Sequence, residues 1–457
     1  MIIIKFGGTS VKDASAIQNA CNIIKDRLDK QPVVVSSALA GITDLLLEAL
    51  EAASENNEDK VLQASLIIKQ RHIEIIDKLI RDESISKSLK DMVEEETGKL
   101  HVLLKAARTI RLKSGAFAHA VMSIGEILST KIITGYLNDS GITACWIDAR
   151  EVIVLEEKKD EFIPDIKAIK QKTTDLFEPL FSEHRCAVFP GFIGATKEGE
   201  PATLGRNGSD YSASILGAAI NAEEIQIWSD VDGILSADPT IIPYAKPLKT
   251  MTFDEACELA YFGARVLHPA SIQPALEKGI PVGVLNSNRP MEPGTMIVAS
   301  DGNQHTGRIV KSIAYKESIT LLTVESTQLL LSPKIIEEIF LILSRHGKRV
   351  YAVSKTATKL SITIENKYDL SMIVNEISEL GEVTAEQGKV IVSVVGEKMK
   401  GHPSLPWQIL KLLDENKIKF DLVTQFASQI SLVFIIDENE IKRTVKLLHK
   451  SFIENKK

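Results

Sequence analysis

Cysteine is scarce and scattered, with only Cys21, Cys145, Cys186 and Cys257 in 457 residues. No CxxC and no metal-ligand spacing links them, so a disulfide framework and a zinc ribbon are excluded, and the thiols read as reduced and mostly core. Positive charge is short as well. The formal net charge of −7 argues against nucleic acid as the main partner, because a phosphate backbone demands a basic surface. A local basic pocket for a small phosphate ligand stays open. No apolar stretch approaches the ~18 residues that span a bilayer. The N-terminus has neither the basic region nor the long apolar run of a secretory signal. No membrane partner is expected, and the cytoplasm is the expected compartment. Two common nucleotide signatures are also missing: the GxxxxGK[ST] P-loop and the protein-kinase set.

What is present describes a soluble globular chain of two to four domains, 44% hydrophobic and 25% charged. Buried strands are expected at Met1–Phe6, Pro32–Ser36, Thr143–Ile147, Cys186–Phe189, Glu224–Trp228 and Pro281–Leu285. Helices are expected between them, near Asp13–Asp29, Ser123–Leu137, Asp165–Phe181 and Ser209–Ile220, with two or three more from Leu45 to about Lys113. That alternation predicts an α/β domain with a mostly parallel sheet, ending near the polar stretch Asp301-Gly302-Asn303-Gln304-His305.

Beyond it the chain nearly repeats itself. RVYAVSKTATKLSITI (349–364) aligns with KFDLVTQFASQISLVF (419–434) at an offset of 70 residues. Amphipathic helices precede and follow each copy, which predicts two ferredoxin-like α+β modules of regulatory or pairing type.

Three clusters carry chemistry. In KFGGTS, Lys5 ends a strand, and Gly7 and Gly8 let bare backbone approach a phosphate beside a helix N-terminus. In LGRNGSDYSA, Arg206 lies between Gly205 and Gly208, where Ser209-Asp210 open a helix; this suits bidentate capture of a carboxylate. In WSDVDG, Ser229-Asp230 follow a buried strand, as ribose- or base-binding residues do in open sheets. Each alone also suits a plain structural turn, and Glu126 in SIGE reads by default as surface-facing.

Taken in order, KFGGTSV, AGIT, GE with a following ST, GFIG, LGRNGSDYSA, WSDVDG and YFGARVLHP resemble the aspartokinases, over essentially the whole chain. The two C-terminal repeats look like the paired ACT domains of that family. The resemblance implies a kinase domain over 1–303 and ACT-like domains over 304–387 and 388–457. It implies transfer of the ATP γ-phosphoryl group to the side-chain carboxylate of L-aspartate, with Mg²⁺, giving 4-phospho-L-aspartate for lysine, threonine and methionine synthesis. Catalysis would fall to Lys5 and Asp210. Lys5, Phe6, Gly7, Gly8, Ser10, Ser229, Asp230, Leu235, Thr240, Arg265 and Val266 would meet ATP. Thr43, Glu126 and Arg206 would hold aspartate, Glu126 at its α-ammonium and Arg206 at its α-carboxylate, in a pocket lined by Ser37, Phe192 and Ser209.

Leu235, Thr240 and Arg265 depart from the family pattern, which has tyrosine, arginine and lysine there. The place of the acid that receives lysine's ε-ammonium in lysine-sensitive relatives falls on Tyr351. Where threonine-sensitive relatives favour glutamine, the repeats carry Lys355 and Gln425. A homodimer through the ACT repeats, an amino-acid effector bound there and a monofunctional enzyme ending at Lys457 are further expectations. The alternatives carried are another acyl-phosphate-forming amino-acid kinase, which Glu126 with Arg206 disfavours for an N-acetylated substrate, and a non-catalytic amino-acid-binding regulator on the same fold.

Overall fold

The computed structural model describes all residues except 112–114, 159–160, 184, 206, 264–267, 300–308, 326–331, 367–369, 426–427 and 455–457, with the side chains of Glu161 and Glu178 also left undescribed. The expected boundary at 301–305 therefore lies outside the described residues. The chain forms two compact units, one of 1–234, 249–253 and 266–301, the other of 235–248, 254–265 and 302–457.

Strands of the first unit are β1 (Ile2–Phe6), β2 (Pro32–Ser36), β3 (Ala144–Trp146), β4 (Val154–Lys158), β5 (Glu161–Pro164), β6 (Cys186–Pro190), β7 (Ile193–Thr196), β8 (Pro201–Thr203), β9 (Ile225–Ser229), β10 (Thr250–Thr252), β11 (Val282–Asn286) and β12 (Thr295–Val298). Eight form the main sheet, in the order β10-β12-β11-β9-β1-β2-β6-β3. Every pairing in it is parallel except β11 with β12. A strand buried on both faces needs apolar residues at every position, and β1 (IIIKF) meets this with one exception, Lys5. Since β1 pairs with β2 on one side and β9 on the other, the strand order reverses at β1, and its C-terminal end is the place where open α/β sheets bind ligands. A smaller sheet, β5-β4-β7-β8, was not legible in the sequence because its strands are short.

The helices of this unit are α1 (Ala14–Lys25), α2 (Ile42–Ser54), α3 (Glu58–Leu79), α4 (Glu83–Ile110), α5 (Ala116–Asp139), α6 (Ala149–Val152), α7 (Ile166–Glu183) and α8 (Gly208–Ile220). Further along lie α9 (Phe253–Tyr261), counted with the second unit from Asp254 on, and α10 (Pro269–Lys278). The expected helical excursion is α2–α4. Helix α5 corrects one sequence expectation, since by length and composition it could cross a membrane. Ser123, Ser129 and Thr130 interrupt its apolar run and hide this from a search for unbroken stretches. In the fold it is a core helix, with Ile124, Leu128, Ile132 and Ile133 in the main hydrophobic cluster.

The second unit holds one six-stranded sheet, ordered β14-β15-β13-β16-β18-β17. These are β13 (Ser312–Glu325), β14 (Val350–Lys355), β15 (Lys359–Glu365), β16 (Glu382–Val395), β17 (Val423–Gln425) and β18 (Ser431–Asp437). Helices α11 (Pro333–Arg345) and α12 (Ser371–Ser378) pack on one half, α13 (Leu405–Glu415) and α14 (Ile441–His449) on the other. Two ferredoxin-like modules result, but they are interleaved. The late half of β13 pairs with β15 and the early half of β16, while Ser312–Lys316 pairs with Ile391–Val395 beside β18. The second module thus takes its fourth strand from upstream of the first. The expected boundary at 387/388 falls inside β16, and 304–387 assigns both halves of β13 to one module. Unbroken alternation hides the junction. It is marked only by register shifts in the β13/β16 ladder and by positive φ at Ser318 and Gly388.

The segments 235–248 and 254–265, expected within the kinase domain, pack in this second unit. Ala237, Ile241 and Ile242 are buried with Val310, Ile313, Val394 and Leu448. Asp238 accepts from Tyr315 Oη at 2.9 Å, and Ser236 Oγ lies 2.9 Å from His449 Nε2.

Candidate active site

Lys5 leaves β1 buried and meets Asp210, in the first turn of α8, at 2.5 Å between Nζ and Oδ1. A buried lysine demands an anionic neighbour, and this carboxylate supplies it. Gly7 lies directly over the ammonium; a Cβ there would sit 3.7 Å from Nζ. Gly8 cannot be replaced cheaply, since a Cβ would lie 3.0 Å from the Ala38 carbonyl. Packing thus restricts Gly8, while a Cβ on Gly7 would make only ordinary van der Waals contact.

The turn 37–41 closes against that loop. Ser37 N donates to Phe6 O at 3.1 Å, and Ala40 N donates to Gly8 O at 3.1 Å. On the other side the turn touches α5, where a Cβ on Gly125 would come within 2.9 Å of the Ala38 methyl. That close approach sets Glu126 under the turn. Its carboxyl is 3% exposed, accepts from the Ala38 backbone, and has Oε2 without a partner among the described residues. Burial raises its pKa to about 8, with the Ala38 and Glu126 backbone hydrogen bonds opposing. The default surface reading of Glu126 is thereby corrected: it is buried, with one carboxyl oxygen lacking a partner among the described residues. Thr43 stands half-exposed at the start of α2.

Phe192 adopts φ = 68°, a strained conformation for an aromatic residue, held by donation from its N to Ser212 Oγ at 2.9 Å. A Cβ on Gly208 would come within 2.5 Å of its ring, and one on Gly191 within 2.7 Å of Ser209 Cβ. Phe192, Ser209 and Asp210 thus form one packed corner. His119 on α5 contacts Thr203 Oγ1 at 2.7 Å, tying the Glu126 helix to the strand that precedes 204–208.

Ser229 ends β9, and Asp230 is exposed just beyond it. Ser10 is buried, its Oγ 2.8 Å from Ser287 Oγ and donating to Trp228 O at 3.3 Å. Ser287 in turn donates to Ser229 O at 3.0 Å. Asn286 donates to Asp232 at 2.6 Å, and Arg289 pairs with the same carboxylate. Sequence reasoning missed Asn286 and Ser287. Their signal was position alone, at the C-terminal end of a strand.

Of the residues expected at the site, Lys5, Phe6, Gly7, Gly8, Ser10, Ser37, Thr43, Glu126, Phe192, Ser209, Asp210, Ser229 and Asp230 all lie in the first unit. Leu235 and Thr240 belong to the other unit, where Thr240 bonds Asp238 through both N and Oγ1. Arg206, Arg265 and Val266 lie outside the described residues.

A buried lysine at the end of a strand, beside glycine backbone and paired with a carboxylate at a helix start, fits a phosphotransferase of the amino acid kinase class. Residues 1–286 match the Amino acid kinase family, and 392–452 match an ACT domain. Aspartokinase 1, chloroplastic, of Arabidopsis thaliana is 33% identical over 99% of this chain and 80% of its own length. Two crystal structures of E. coli aspartokinase III superpose, each at 29% identity. The complex with aspartate and ADP gives a TM-score of 0.82 over 98% of this chain and 99% of that one. The complex with lysine and aspartate gives 0.84 over 99% of both. This chain belongs to the aspartokinases, ATP-dependent kinases that phosphorylate aspartate.

Proposed function

We propose that phosphoryl transfer runs between two poles held by the turn 37–41. At the donor pole Lys5, Gly7 and Gly8 meet the ATP phosphates, while Asp210 orients the Lys5 ammonium. At the acceptor pole Glu126 receives the α-ammonium of aspartate and Arg206 its α-carboxylate, with Ser37, Thr43, Phe192 and Ser209 lining the pocket. Ser10, Ser229 and Asp230 border the nucleotide. The observation that carries this reading is the buried Lys5–Asp210 pair, with the turn 37–41 between it and the Glu126 carboxyl, whose Oε2 has no partner among the described residues. The attacking carboxylate has an ordinary pKa of ~3.9, so it is already anionic and needs no general base. The difficulty is bringing one anion to another, which positioning and fixed positive charge relieve.

Mg²⁺ fits as an ion that arrives on the nucleotide. Among the described residues no group of three or more His, Cys, Asp or Glu could hold a metal, and Asp210 offers one carboxylate beside Lys5. When bound, it neutralises phosphate charge. The product enters lysine, threonine and methionine synthesis, in the cytoplasm, made by a homodimer. In support, β14 and β17 edge the six-stranded sheet and the four cysteines are free.

Arg206→Lys tests the acceptor pole. It keeps the charge, loses the planar fork and raises the aspartate KM by the equivalent of roughly 1–3 kcal/mol. An unchanged aspartate KM with an altered ATP KM contradicts the assignment.

The ACT modules bind an amino-acid effector, in line with the lysine-bound relative. At the acid's expected place stands Tyr351, 5% exposed, with the Lys316 ammonium 5.0 Å from its ring centre. A second ammonium is disfavoured there, so lysine is expected to inhibit poorly and a neutral or anionic side chain better. Separate titrations of activity with lysine, threonine and methionine check this; potent inhibition by lysine alone refutes it.

A further inference from the structure

The turn 37–41 links the Gly7–Gly8 loop to the Glu126 carboxyl, hydrogen-bonded to Gly8 at one peptide and to Glu126 at another. Ala40 carries the Gly8 end of the link: its N donates to Gly8 O, which leaves its own carbonyl for another partner. That carbonyl accepts from Arg71 Nη1 at 3.0 Å. Arg71 comes from α3, in the helical excursion, and its Nη2 reaches the Lys12 carbonyl at 3.5 Å. Lys12 closes the short 3₁₀ turn Gly8–Val11, so one guanidinium spans the far ends of both loops. A planar fork with divergent N–H groups is suited to hold two carbonyls at a fixed separation, whereas an ammonium is a point donor on a flexible stem. Behind Arg71 the helix is firmly seated, with His72 fully buried and its Nδ1 2.7 Å from the Ile68 carbonyl.

We propose that Arg71 is a positioning residue for phosphoryl transfer, a brace that fixes the separation of the phosphate loop from the aspartate turn. The proposal rests on the two-pole reading above. It assigns part of the helical excursion to catalysis: α3 sets the distance across which the aspartate carboxylate must meet the γ-phosphoryl group. Misplacement costs rate more than affinity, because each substrate keeps its own contacts while the near-attack geometry is lost.

The test compares Arg71→Met, Arg71→Lys and, on the same helix, Lys69→Met, whose lysine pairs with Glu94 on α4. Arg71→Met is expected to lower kcat by about 10–100-fold while both KM values stay within about threefold, with melting temperature near wild type. Arg71→Lys, reaching one carbonyl, falls between, and Lys69→Met matches wild type. A lowered melting temperature with normal kcat for Arg71→Met shows a purely structural anchor and overturns the proposal. So does an equal loss of kcat in Lys69→Met. Should Lys5→Ala remain active, the two-pole reading itself falls; should Lys5→Ala be dead and Arg71→Met normal, only the brace does.

Discussion

Lys5→Ala is expected to lower kcat by about 10²–10³-fold, the loss typical when one preorganised donor to a developing charge is removed. Charge on the phosphoryl group shifts toward the bridging and terminal oxygens as transfer proceeds, so a fixed ammonium is worth more in the transition state than in the bound ground state. ATP affinity should change far less. The substitution leaves Asp210 buried without its cation, which costs stability, yet the side chain keeps 12% exposure through which water can reach it. Steady-state kinetics beside a melting curve separates these effects. A rise in ATP KM with unchanged kcat would mean that Lys5 gives only uniform binding.

The second large effect is at Glu126. On the two-pole reading, Glu126→Gln removes the charge proposed to pair with the substrate ammonium and is expected to raise the aspartate KM by about 10–100-fold, the worth of a hydrogen bond to a charged group. Its stability signature has the opposite sign. In the folded, unliganded chain the carboxyl holds its proton up to about pH 8, while the unfolded chain releases it near pH 4.5. Across that window the folded state binds more protons, so the Glu126 contribution to stability falls as pH rises from about 4.5 to about 8. Glu126→Gln abolishes this contribution, and its melting temperature should overtake wild type at the alkaline end. Aspartate should restore the wild type there by supplying the missing cation. A wild-type pH dependence in the variant would show that Glu126 is ionised without substrate.

Lys5, Gly7, Gly8 and Asp210 were legible because their signal is local: a charge where a buried strand should be apolar, bare backbone, then a helix start. Glu126 was not legible from its residues. Its burial depends on Gly125 meeting Ala38, a contact between segments almost ninety residues apart. Ser287 and Asn286 acquire meaning only when β11 is laid beside β9, and Arg71 only when α3 is folded back under Ala40. Leu235 and Thr240 follow WSDVDG in sequence, but their segment leaves for the second unit because Ile241 and Ile242 find their core there. The interleaved β13 and β16 look like single strands, since alternation is the same whichever module a half belongs to. Local chemistry shows in sequence; partnership across the fold does not.

The most direct test of the two-pole account is ADP release measured with a series of acceptors, each reaction trapped with hydroxylamine. With aspartate the account predicts one acyl hydroxamate per ADP. With N-acetylaspartate, which keeps both carboxylates but has no ammonium for Glu126, it predicts turnover reduced to background. Equal turnover of the acetylated acceptor would contradict it.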